Sequence, residues 1–225
     1  MIMRYEIKGE TTPILEIELE KGEEILSEPG RMIYKEPTIK MVTKAEGGML
    51  SSLKRSFSGE SFFLTEFSAE SNGLVHFAPK IPGAIRRIDV EEDSSILAQE
   101  DAIICSINGN IDVGFNSDIA GGFLGGEGFK FTKIDGPETA FIEAGGEIQK
   151  FELEKGQKLE IDTGCLVAYE ENVKVSAEKV GGLKNSLFGG EGLFLTTAEG
   201  PGEVWVQSMS VSELALELDS HVPGN

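Results

Sequence analysis

Apolar and polar residues alternate with a period of two in many short runs: "ILEIELE" (14–20), "AFIEAG" (140–145), "KFELE" (150–154), "VWVQSM" (204–209) and "LALELD" (214–219). Successive side chains of a strand point to opposite faces, so this period marks half-buried β-strands. Turn clusters punctuate the runs, among them "EPG" (28–30), "NGN" (108–110), "DGP" (135–137) and "EGPG" (199–202). Their glycine, proline, asparagine and aspartate supply backbone conformations that strands avoid. No long stretch carries a helical period. The most helix-like pieces are "GGMLSSLKRSF" (47–57) and "GGLKNSLFGG" (181–190), which predict single helical turns after a double glycine. The pattern predicts an all-β protein.

The runs also repeat. "LFGGEGLFLTTAEGPGEVWVQS" (187–208) aligns without a gap on "FLGGEGFKFTKIDGPETAFIEA" (123–144), 64 residues earlier. A weaker copy, "FSGESFFLTEFSAESNGLVHFA", occupies 57–78 and carries two extra residues before His76. Gly59-Glu60, Gly126-Glu127 and Gly190-Glu191 correspond, as do Thr65, Thr132 and Thr196, and His76, Phe141 and Trp205. A strand resembling "EIQKFELEKG" (147–156) recurs at 13–22 and 84–93 and again as "SELALELD" (212–219). A period of about 65 residues is one supersecondary unit, and neighbouring units share a core. The expectation is a single domain of three β repeats, about 13–83, 84–146 and 147–211. Strand 212–219 closes the first unit, giving one ring-like body with pseudo-threefold symmetry and few free sheet edges.

Charge and composition narrow the chemistry. There are 39 acidic and 20 basic side chains, a net charge of −19. Such a field repels phosphate and disfavours nucleic acid. The N-terminus shows no targeting segment, and no apolar run approaches the roughly 20 residues of a membrane span. Cys105 and Cys165 lie in apolar runs without metal-ligand spacing, which reads as buried thiols in a reducing compartment. The expected location is cytoplasmic.

Catalytic candidates are few. Glycines near "GGEG" invite a phosphate-loop reading, but strand-like sequence follows where a helix N-terminus is needed. The only histidines are His76, at an aromatic packing position, and His221, in the polar tail. Neither a histidine metal cluster nor a serine–histidine pair is available. No cofactor or metal is expected, and the chain reads as no enzyme. Glu60, Glu127 and Glu191 each follow a glycine and read as carboxylates that accept N–H groups of their own turn. Convergence of the three on a cation is the sharper alternative. Met49, Leu50, Phe57, Phe123, Leu124, Leu187 and Phe188, beside the double glycines, either cap the β core or form an apolar rim for a partner.

The order and spacing of Gly47-Gly48, "SGESFF" (58–63), "GLVHFAPKIPG" (73–83), "GGEGFKF" and "GGEGLFL" resemble the altered inheritance of mitochondria protein 24 family, over nearly the whole chain. The resemblance implies a fold similar to the tryptophan RNA-binding attenuation protein, with three β-rich repeats per chain. It implies no catalytic residues. Mitochondrial members are linked to membrane organisation, which transfers only as a hint. RNA and tryptophan binding do not transfer, because fold does not imply function. The functional expectation is a non-enzymatic cytosolic binding or scaffold protein, open to a protein partner, to peripheral membrane contact and to self-association. The alternative is a small-molecule sensor or carrier with a pocket between repeats.

Overall fold

The structure is a computed structural model and describes residues 3–45, 63–109, 111–114, 131–180 and 193–221. It is mostly β, in several antiparallel sheets, as the alternation predicts. The strands are β1 (Arg4–Lys8), β2 (Ile14–Leu19), β3 (Glu24–Ser27), β4 (Met32–Lys35), β5 (Ile39–Ala45), β6 (Phe63–Ala69) and β7 (Gly73–Phe77). Then follow β8 (Gly83–Val90), β9 (Ser95–Gln99), β10 (Ile103–Ser106), β11 (Ile111–Gly114), β12 (Phe131–Asp135) and the long β13 (Glu138–Leu153). The last are β14 (Lys158–Asp162), β15 (Leu166–Glu170), β16 (Lys174–Val180), β17 (Leu193–Glu199) and β18 (Gly202–Met209). Short 3-10 turns precede β10 and β15.

Between β2 and β7 the pairs are β2–β7, β7–β4, β3–β6 and β6–β5. From β8 to the first half of β13 they are β8–β13, β13–β10, β9–β12 and β12–β11. From the second half of β13 onward they are β13–β18, β18–β15, β14–β17 and β17–β16. Two further pairs join these groups, β10–β3 and β15–β9. β1 flanks β2.

Sequence accounts for much of this locally. In β2 the inward side chains Leu15, Ile17 and Leu19 are fully buried while the glutamates between them stay half-exposed. The turn after β2 places Gly22 at φ +88°, and the turn before β14 places Gly156 at φ +79°. The turn after β8 has Asp93 at φ +66°. Only glycine, and less readily aspartate or asparagine, enters this left-handed region without a large steric cost.

Three apolar clusters fill the interior. One gathers Leu15, Ile17, Ile25, Phe67, Phe77 and Phe141 among others. A second holds Ile88, Ile96, Ile103, Ile134, Ile142 and Trp205. A third holds Leu153, Ile161, Leu166, Tyr169, Val173 and Val204.

The expected closing strand 212–219 is a helix, α1 (Val211–Ser220). Its apolar spacing fits both periods, since Leu214, Leu216 and Leu218 alternate while Val211, Leu214, Ala215 and Leu218 share a helical face. Capping decides between them. The Ser210 hydroxyl accepts from the Glu213 N–H at 3.1 Å, and the Glu213 carboxylate accepts the Ser210 N–H at 3.3 Å. This reciprocal box fixes the first turn, and leucine, alanine and glutamate propagate it. No residue of α1 is buried, so it does not complete the first unit.

Candidate functional site

The sequence-predicted site residues Gly59, Glu60, Gly126, Glu127, Gly190, Glu191, Met49, Leu50, Phe57, Phe123, Leu124, Leu187 and Phe188 lie outside the described residues. So do the predicted helical turns. The strands that flank them are described. Ala45 pairs with Phe63 at the end of β5–β6, Gly114 with Phe131 at the end of β11–β12, and Val180 with Leu193 at the end of β16–β17. Each glycine-rich segment therefore joins the two strands of an antiparallel hairpin at its last backbone pair.

Sequence reasoning missed the main buried polar site. Arg31, between β3 and β4, is fully buried. Its Nη1 donates to Glu143 Oε1 of β13 at 2.5 Å, and its Nη2 to Glu28 Oε2 at 2.9 Å. Nη2 also donates to the Asp101 carbonyl in the 3-10 turn before β10. The second Glu143 oxygen accepts the Lys80 N–H at 3.0 Å, and the Lys80 ammonium meets Asp101 at 2.7 Å. The cluster thus ties separate chain segments together.

Its electrostatics follow from one buried cation facing two carboxylates. Burial pushes the Glu28 carboxyl up to about 8, against the opposing pull of Arg31. Burial raises Glu143 as well, again opposed by Arg31 and by the Lys80 N–H. Glu143 has the better-furnished site, so Glu28 is the carboxyl that keeps its proton. No periodicity signals this cluster. "EPGR" (28–31) reads as an ordinary turn, and Glu143 lies in an alternating strand.

His76 is buried and stacks on Tyr34, with ring centroids 3.8 Å apart, so the expected aromatic packing holds. It also does more. Its Nε2 lies 2.7 Å from Glu16 Oε2, which the Lys8 ammonium meets at 2.7 Å from outside. The hydrogen bond from Lys8, with that of His76, holds the Glu16 carboxyl below its usual range. Trp205 packs in the second core cluster.

Burial raises both thiols, Cys165 to about 11, so neither is a ready nucleophile. Among the described residues, no group of three histidine, cysteine, aspartate or glutamate side chains could hold a metal ion. No described helix is long and apolar enough to cross a membrane. A cleft of about 570 Å³ opens between β3, β6 and the turn after β10, lined by Met3, Glu24, Leu26, Glu66, Ile107 and Asn108 among others.

Comparison with known proteins agrees in length and fold. The chain is 27% identical over 231 residues to an uncharacterized protein of Streptococcus pyogenes serotype M6, covering 98% of this chain and 92% of that one. The crystal structure of a protein from Streptococcus pyogenes superposes with a TM-score of 0.78 at 26% identity, over 98% of this chain and 100% of the other. The family model described as "Mitochondrial biogenesis AIM24" matches residues 5–209. This chain therefore belongs to the AIM24 family.

Proposed function

We infer that this chain is a non-enzymatic cytosolic binding or scaffold protein. In this reading it is built of three related six-strand units, about 13–83, 84–146 and 147–211, in a pseudo-threefold body similar to the tryptophan RNA-binding attenuation protein. The observation that carries this is the recurrence of one pairing scheme. In each unit the first strand pairs with the sixth, the sixth with the third, the second with the fifth and the fifth with the fourth. A register shift falls at the same place in each third strand, between Met32 and Tyr34, Ile103 and Cys105, and Leu166 and Ala168. Buried Thr65, Thr132 and Thr196 stand opposite Ser27, Ala98 and Ile161.

Even the polar contacts correspond. Gln207 accepts the Gly145 N–H and donates to the Gly164 carbonyl, each at 2.8 Å. Glu143 with Arg31 makes the matching links to Lys80 N–H and the Asp101 carbonyl.

In this reading the three glycine-rich segments connect equivalent hairpin strands, one in each unit. An interaction surface built from three copies of a loop suits multivalent contact better than catalysis, which needs different residues in different roles. Replacing Met49, Leu50, Phe123, Leu124, Leu187 and Phe188 by serine tests the reading. Capture of a defined partner from the native extract should be lost, with the melting temperature preserved. Capture that survives the substitutions argues against these loops as the binding surface.

The cleft beside β3 supports the second reading, a carrier for a small molecule. Its glutamates favour a cationic ligand. Native mass spectrometry of protein purified from its own cells separates the two: a bound small molecule in stoichiometric amount favours the carrier.

A further inference from the structure

Two sheet edges fit each other and, among the described residues, lack a neighbouring strand. The units are joined by their third strands: β10 lies on β3, with Cys105 opposite Ser27, and β15 lies on β9, with Ala168 opposite Ala98. A closed threefold would set β4 on β14 of the same chain as the third member of that series, and among the described residues that joint stays open. Among the described residues β4 pairs only with β7, and β14 only with β17.

Burial shows what the missing neighbour leaves uncovered. Ile104 and Val167, in the joined third strands, are 0% and 1% exposed, whereas Ile33 at the same place in β4 is 46% exposed. Cys105 and Ala168 are 0% exposed, and their counterpart Tyr34 is 53%. In the second strands, Ile25 and Ile96 are buried while Leu159 of β14 is only partly so. An unpaired strand with apolar side chains is a template for another strand.

We propose that β4 of one copy adds to β14 of a second copy, so that the chain self-assembles head to tail. The register follows from the two joints already present. Tyr34 falls opposite Ile161, and the next pair sets Lys35 opposite Glu160, as Tyr169 faces Leu97 at the β15–β9 joint. Opposite charges directly across a strand pair are favourable, and like charges there are not. Two different surfaces meet in this contact, so it propagates until a ring closes or a filament grows. The inference rests on the three-unit reading, not on what the glycine-rich loops bind.

Light scattering after size exclusion, at tens of micromolar protein, reads the assembly directly. Wild type should run at two or more chain masses. Ile33→Asp should run at one chain mass with an unchanged melting temperature, since Ile33 is half-exposed in the single chain. In a Cys165→Ser background, Lys35→Cys and Glu160→Cys should form a disulfide dimer when mixed and oxidised, and neither should do so alone. A wild type at one chain mass overturns the proposal. So does a Lys35→Cys/Glu160→Cys double variant that bridges only within a single chain, or an Ile33→Asp variant that stays assembled. Any of these leaves the loop-capture result standing, so the two readings fail separately.

Discussion

Arg31 and Glu143 lie 112 residues apart in the chain and 2.5 Å apart in the fold, with the arginine wholly removed from water. The contact joins the turn between β3 and β4 to the middle of β13. Breaking a buried ion pair is costly because the surviving charge keeps its desolvation penalty and loses its partner.

Arg31→Met should therefore destabilise the protein by about 3–5 kcal/mol. Arg31→Met combined with Glu143→Leu should recover most of that loss, because both charges then leave the interior together. Urea denaturation of the two single variants and the double gives the coupling. Losses of the two single variants that simply add in the double variant would show that the pair contributes nothing specific.

Glu28 sets a pH dependence. Its folded pKa, about 8, stands above the ordinary 4.5. Between those values the unfolded carboxyl has lost its proton while the folded one keeps it, so the folded state binds more protons. Stability therefore falls as pH rises from about 4.5 to about 8, with a slope of at most about 1.4 kcal/mol per pH unit. Glu28→Gln should flatten this slope, leaving part to Glu143, whose pKa moves in the same direction. The variant should exceed wild type in urea midpoint at pH 8 and match it near pH 4.5. Parallel curves for the two proteins would refute the assignment.

The end of the chain should be dispensable for stability. With no buried residue in α1, removing residues 211–225 should cost under about 1 kcal/mol, in the range of surface changes. A closing strand would have cost several times more, because burying one large apolar side chain contributes roughly 1.5–3 kcal/mol. A drop in melting temperature of more than about 8 °C on truncation at Ser210 would mean that the helix docks on the body after all.

The three glutamates of the glycine-rich segments give a further test. If each carboxylate serves its own turn, Glu60→Gln, Glu127→Gln and Glu191→Gln should each cost part of the roughly 1.5–3 kcal/mol of a charged hydrogen bond. The costs should add, as they do for sites without shared partners. Melting the single and triple variants with and without calcium decides it. A first substitution that does most of the damage, with calcium stabilising wild type alone, would point to a shared cation.

The strands were legible because their chemistry is local. Leu15, Ile17 and Leu19 announce an inward face, and Gly22 and Gly156 announce tight turns, whatever the rest of the chain does. His76 was readable as an aromatic packing position, and it stacks on Tyr34. In the fold it stands opposite Tyr34, directly after a register shift. What could not be read is how His76 uses that place. Its bond to Glu16 depends on β2 lying beside β7, a pairing between residues 60 apart.

Sequence alone settled the β class, the alternation of strands such as β2 and the family, since these rest on side-chain period, turn residues and motif order. It misjudged residues 212–219, because a leucine-rich alternation fits a helix as well as a strand, and the capping box at Ser210 decides for the helix. Tertiary structure alone decided the Arg31 cluster and, among the described residues, the unpaired edges of β4 and β14. Burial and pairing are properties of what surrounds a residue. A turn arginine and a strand glutamate become an ion pair only when the chain folds them out of water together.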